Sequence, residues 1–218
     1  DKVSVNNLLE NGEVTLYAQW SEHTYKVVFN ANNGTEESNE QVFGFEEEKK
    51  LSANTYSKEG YTFEGWSSTT TGRVEYTNEQ VVNALTNEDK ATINLYAVWS
   101  ANTYTIKFDG NGAEGSMIDQ ERVYDDQEAI SNNLFSKVGY TFDGWKLEDN
   151  TYENRYVGNL SSTNEDVITL VAKWKEHTYK VVFNANNLTL DKKEQNFIYD
   201  ISNKLDKNVF TYEGYTFV

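Results

Sequence analysis

Residues 24–30 alternate strictly, with Tyr25, Val27 and Phe29 on one face and Thr24, Lys26 and Val28 on the other. A period of two predicts a strand with one face toward a core. The inward set returns as Tyr104, Ile106, Phe108 and again as Tyr179, Val181, Phe183. Each time an Asn-rich turn follows: Asn32-Asn33-Gly34, Asn111-Gly112, and Asn186-Asn187. Asn and Gly tolerate the positive φ of a hairpin turn. A second strand then has inward candidates Phe43 and Phe45, Arg122 and Tyr124, Phe197 and Tyr199. Arg122 interrupts an apolar face, which predicts a strand near a sheet edge.

Beyond it, a connection anchored by Leu51 and Tyr56, Ile130 and Phe135, or Leu205 and Phe210 leads to a strand written Gly-Tyr-Thr-Phe. Phe63 and Phe142 should face inward, with Tyr61 and Tyr140 two residues earlier on the same face. Trp66 and Trp145 fall on the opposite parity, so a bulge is expected at Gly65 and Gly144. Thr77 through Leu85 reads as a short helix, capped by Asn or Thr, with Val81, Val82 and Leu85 inward. The last strand carries Ile93, Leu95, Ala97 and Trp99 on one face.

These patterns recur in register, with a step of 79 residues from Tyr61 to Tyr140 and of 75 from Tyr140 to Tyr215. Leu16 to Trp20 returns as Leu95 to Trp99 and as Leu170 to Trp174. Three motifs shifting together define a tandem array. The expected divisions are the end of one repeat over 1–21, complete repeats over 22–100 and 101–175, and the start of another over 176–218. The chain reads as a segment of a longer array, because a half-unit cannot close its own core. Only four residues separate Trp99 from Tyr104, which favours a semi-rigid, elongated rod.

Composition changes the picture in three ways. Eleven Phe, fifteen Tyr and five Trp make 14% of the chain aromatic, enough to supply a core to units this small. The core candidates are Tyr25, Phe29, Phe63, Trp66, Trp99, Tyr104, Phe108, Phe142, Trp145 and Trp174. Acidic residues outnumber basic ones by 35 to 19, for a net charge of −16. That balance argues against nucleic acid and anionic membrane surfaces as partners, since both demand clustered Lys and Arg. The absence of cysteine excludes disulfides, thiolate metal sites and a Cys nucleophile. No apolar run suggests direct membrane insertion of this segment.

Candidate chemistry is sparse. His23 and His177 occupy equivalent junction positions, and the middle copy has Asn102 there. Asp125 and Asp126 read as a solvated loop rather than an acid–base pair. Asp109 to Glu114 begins like a calcium loop but fails at Ala113, Glu114 and Gln120. No catalytic residues, metal or cofactor are expected, and the chain does not read as an enzyme.

Thr-Tyr-Lys-Val-Val-Phe-Asn, Asn-Asn-Gly, Lys58-Glu59-Gly60-Tyr61-Thr62-Phe63-Glu64-Gly65-Trp66 and Leu95-Tyr96-Ala97-Val98-Trp99 closely resemble the Listeria–Bacteroides repeat, or internalin B-repeat, across essentially the whole chain. The resemblance implies an α+β, mostly β fold. Each repeat would be a β-grasp-like (ubiquitin-like) unit, a small mixed sheet with one short helix. It also implies tandem stalk modules of bacterial cell-surface or secreted proteins, often adhesins. That family usually has prolines before Lys-Glu-Gly-Tyr, whereas residues 51–57 have none.

Two functions follow as expectations. The first is a non-catalytic stalk whose partners are neighbouring repeats of the same chain. The second is an adhesion module binding a host protein or glycan through the variable connections 67–92 and 146–167, where Tyr76 and Tyr152 are the aromatic candidates.

Overall fold

A computed structural model describes residues 15–152 and 158–218. Residues 1–14 and 153–157, part of the expected segment 1–21 and of the connection 146–167, lie outside them. By their contacts the described residues group into two units, those up to 58 together with 63–100, and 59–62 together with those from 101 on.

The first copy, residues 24–101, contains β1 (Thr24–Asn30), β2 (Ser38–Gly44), β3 (Lys49–Lys50), β4 (Tyr61–Ser67), β5 (Val81–Val82) and β6 (Thr92–Ala101), of which Tyr61, Thr62 and Ala101 group with the second unit. Its main sheet has the order β2-β1-β6-β4. β2 folds back antiparallel on β1, while β6 lies parallel to β1 from Lys26↔Thr92 to Asn30↔Tyr96. The second unit repeats the plan with β7 (Thr103–Asp109), β8 (Gln120–Val123), β9 (Tyr140–Leu147), β10 (Asn150–Tyr152) and β11 (Asp166–Glu176). Here the order is β10-β9-β11-β7-β8, again with β7 and β11 parallel. A hairpin of β12 (Thr178–Asn184) and β13 (Lys192–Ile198) follows. β2 and β8 are sheet edges, as the polar Arg122 suggested.

The α+β expectation is corrected: the described residues form strands and turns with no helix, so the fold is all-β. Where a helix was expected, Thr77 to Gln80 makes a turn and Val81–Val82 forms β5, paired with Lys49–Lys50 of β3. Glu79 at φ 56° and Ala84 at φ 44° take left-handed backbone, which a helix cannot contain. The two β-branched valines between them suit a strand. As a result Val81 points outward at 55% exposure while Val82 is buried.

The bulge that the tryptophan parity required is present. Trp174 pairs with Phe142 but Ala172 pairs with Trp145, so β9 carries one residue more than β11 across that interval. The extra residue turns Phe142 and Trp145 to one side. Gly144 sits there at φ 115°, and an added Cβ would lie 2.8 Å from Tyr152 O. Gly65 is equivalent, with a Cβ falling 2.6 Å from Tyr76 O. Gly144→Ala is therefore expected to cost about 1–3 kcal/mol in denaturant unfolding. Gly112→Ala, also at positive φ but in open space, should cost about 1 kcal/mol or less.

The proline-free connection 51–57 is held by side chains instead. Gln41 donates to Lys50 O and accepts from Ser52 N, while Asn54 both donates to Tyr56 O and accepts from Tyr56 N. Gln120 with Asn133 repeats this arrangement, and Gln195 with Asn208 does so again. An amide carries a donor and an acceptor, so one residue can fasten both backbone groups of a turn.

Candidate functional site

Two features are candidates for function: the aromatic cores, and the contacts made by the Gly-Tyr-Thr segments. In the first core Tyr25, Phe29 and Trp66 are buried, with Phe63 and Trp99 half-buried against them. Trp66 is the hub. Its ring meets Phe29 at 4.9 Å, Phe63 at 5.0 Å and Tyr56 at 6.3 Å between centroids, all edge-on. The second core has Tyr104 and Trp145 buried, with Phe108, Phe142 and Trp174 half-buried. Trp145 meets Phe108 at 4.8 Å, Phe142 at 5.0 Å and Phe135 at 6.2 Å. Trp99 and Trp174 each donate the indole N–H, to Ala31 O and Gly110 O respectively, at 2.9 Å.

The cores differ in charge at one position. Phe43 stacks on Tyr25, and Phe197 on Tyr179, with ring centroids 5.4 and 5.6 Å apart. Opposite Tyr104 stands Arg122, only 1% exposed. Its Nε donates to Asp126 at 2.9 Å, and Asp126 also accepts the backbone N–H of Val123 and Glu128. Arg122 Nη1 is buried without a hydrogen-bond partner. The Arg122 hydrogen bonds hold the Asp126 carboxyl below its ordinary range, against the opposing effect of burial. Asp126 is thus a structural counter-charge, and the solvated-loop expectation is corrected for it.

Tyr61 and Tyr140 were expected among the inward residues, and they lie elsewhere. The Tyr140 ring packs edge-on against Tyr199 at 5.7 Å, and its hydroxyl donates to Asp200 at 3.0 Å. Next to it Gly139 O accepts the His177 N–H at 2.8 Å, and Thr141 Oγ1 is hydrogen-bonded to His177 Nε2 at 2.9 Å. A Cβ on Gly139 would run into the Tyr199 ring.

Residues 60–62, within the second unit, make the same set. Tyr61 packs on Tyr124 and donates to Asp125, Gly60 O accepts from Asn102 N, and Thr62 donates to Asn102 Oδ1. Gly60 likewise lies under the Tyr124 ring. The hydrogen bond to a carboxylate raises both tyrosine hydroxyls above the usual phenol range. Sequence reasoning placed His177 and Asn102 at a junction but missed that they grip the preceding Gly-Tyr-Thr. The available signal was that His23, Asn102 and His177 each precede the next Gly-Tyr-Thr by the same 37 residues.

The remaining candidates take structural positions. Asp109 accepts the Asn111 N–H as a turn cap, and no group of three or more potential metal ligands occurs among the described residues. Tyr76 and Tyr152, expected as glycan-facing aromatics, pack against the two cores instead.

The fold and these contacts define an all-β tandem-repeat protein. The model of the Listeria-Bacteroides repeat domain matches residues 25–98 and 104–173, and the chain belongs to that family. A protein of Evansella cellulosilytica, named as a Gly-rich membrane protein, is 32% identical over 177 residues, which cover 79% of this chain and 19% of that protein. Internalin H of Listeria monocytogenes is 36% identical over 90 residues, covering 40% of this chain and 14% of its own length. The chain therefore spans only about a fifth of the first relative and less of the second. Among solved structures, the type 2 repeat of a mucus binding protein from Lactobacillus reuteri aligns over 71% of this chain and all of its own. Its TM-score of 0.17 and 10% identity are too slight to bear on the fold.

Proposed function

We propose that this chain is a non-catalytic, tension-bearing stalk or spacer segment of a bacterial cell-surface or secreted protein, and that the parent is an adhesin. Family membership and the membrane-protein relative support the extracellular setting. One observation carries the mechanical reading: the first and last long strands of each copy are parallel neighbours, β1 with β6 and β7 with β11. In a parallel pair the start of one strand and the end of the other lie at opposite ends. Tension entering at Thr24 and leaving at Ala101 therefore shears all the β1–β6 hydrogen bonds together. An unzipping geometry would break them one at a time. The aromatic hub beneath that pair adds packing that must fail in the same step.

Single-molecule pulling on the full chain from its termini tests this reading. Two high-force events are expected, each releasing about 250 Å of chain. Because the chain has no cysteine, handles can be moved freely. With Thr35→Cys and Ser100→Cys both pulling from the same end of the β1–β6 pair, the first copy should yield at a several-fold lower force. Equal forces in the two geometries would remove the load-bearing role.

A further inference from the structure

The structure assigns a docking site to the surface formed by His23, Phe45, Glu46 and Asn87: we propose that it receives the Gly-Tyr-Thr segment of another copy of this repeat. In the two filled instances the receiving positions are Asn102, Tyr124 and Asp125, or His177, Tyr199 and Asp200. Each supplies a backbone N–H for the glycine carbonyl, a polar side chain for the threonine, a ring over the glycine and a carboxylate for the tyrosine hydroxyl. Stepping back by the repeat length places His23, Phe45 and Glu46 at those positions. The backbone is built alike, since Phe45 N donates to His23 O at 2.9 Å, as Tyr124 N does to Asn102 O and Tyr199 N to His177 O.

The surface is an open, shallow hollow lined by Trp20, His23, Phe45, Glu46 and Asn87. His23 Nδ1 is hydrogen-bonded to Asn87 O, which leaves Nε2, the atom that holds the threonine at His177, facing outward from that contact. Phe45 brings a ring and Glu46 a carboxylate, so the occupant must offer a glycine, a phenol and a hydroxyl in consecutive residues.

The chain also displays the matching half. Gly214-Tyr215-Thr216 has the same left-handed glycine, φ 78° beside 73° at Gly60 and 80° at Gly139. Where Gly60 and Gly139 are each covered by a ring, a Cβ at Gly214 would meet nothing within 4 Å, and Tyr215 is 72% exposed. The donor at Gly214 thus has the backbone conformation of the two filled donors, and the acceptor at His23, Phe45 and Glu46 has the backbone hydrogen bond of the two filled acceptors. The proposed pairing is Gly-Tyr-Thr on one copy with Asn or His, a ring and a carboxylate on the other. This inference stands independently of the load-bearing reading, because it concerns recognition and not resistance to force.

Titration of isotope-labelled full chain carrying Tyr215→Ala, which keeps only its acceptor, with unlabelled unmodified chain tests it by NMR. At about 1 mM, the effective concentration a short flexible linker would provide, saturable shifts are expected at His23, Phe45, Glu46 and Asn87. Unlabelled chain carrying Tyr215→Ala should produce none, and Glu46→Ala in the labelled partner should weaken binding several-fold. Each substituted side chain is exposed or half-buried on a loop, so the fold persists in both variants. Absence of shifts at 1 mM, shifts elsewhere, or shifts indifferent to Tyr215 would each overturn the proposal.

Discussion

Asp126→Ala is expected to destabilise the second copy by about 3–5 kcal/mol, because it strands a guanidinium that is already out of water. Arg122 fills a position that Phe43 and Phe197 fill in the other copies, and its Nη1 has no partner even in the intact protein. Arg122→Phe is therefore expected to be neutral or stabilising by about 1–4 kcal/mol, since an apolar ring removes the desolvation cost of the pair. The opposite outcomes of two substitutions at one ion pair separate the cost of burying the charge from the cost of losing its partner.

The pair also predicts a pH dependence, and its sign is determinate. The folded Asp126 carboxyl lies below its unfolded value, chiefly through the Arg122 hydrogen bonds. Its contribution is then complete above the ordinary carboxylate pKa of about 4 and is lost as pH falls through the lowered folded value. Denaturant midpoints measured from pH 7 downward should decline with a component that Arg122→Phe removes. A slope below pH 4 that is unchanged in Arg122→Phe would sink this account.

Trp66→Ala is expected to cost about 3–5 kcal/mol, the usual penalty for truncating a buried tryptophan. The ring touches Phe29, Phe63 and Tyr56 at once, so no single neighbour can move in to fill the space. A domain of this size has total stability of order 5–15 kcal/mol. The Tm of the first copy should fall by more than about 12 °C. Trp66→Phe, which keeps the ring contacts partly, should lose markedly less. Trp20→Ala serves as the control, because Trp20 is 91% exposed and its loss should leave Tm unchanged. Calorimetry on the full chain would read all three.

Much of this protein lies in local periodicity. Alternation at Tyr25, Val27 and Phe29 is enough to locate β1, and recurrence at two nearly equal steps is enough to establish the array. The parity conflict between Phe142 and Trp145 even implied the bulge at Gly144, since a strand can turn both residues inward only by carrying an extra one. What escaped was long-range. Val81 and Val82 have helical neighbours in sequence, but Lys49 and Lys50 offer a strand to pair with, and that partner is invisible to a local window. Tyr61 and Tyr140 share parity with core phenylalanines, yet their rings rest on Tyr124 and Tyr199, some sixty residues downstream.

By itself, then, the sequence determined the repeat, the long strands and the aromatic hubs, because each is written in short-range pattern and side-chain volume. Only the tertiary structure decided the all-β fold, the burial of Arg122 against Asp126, and the use of Gly-Tyr-Thr as a contact segment. Those outcomes depend on which distant groups satisfy a backbone pair, a buried charge or a phenol. No spacing rule within a strand encodes that choice.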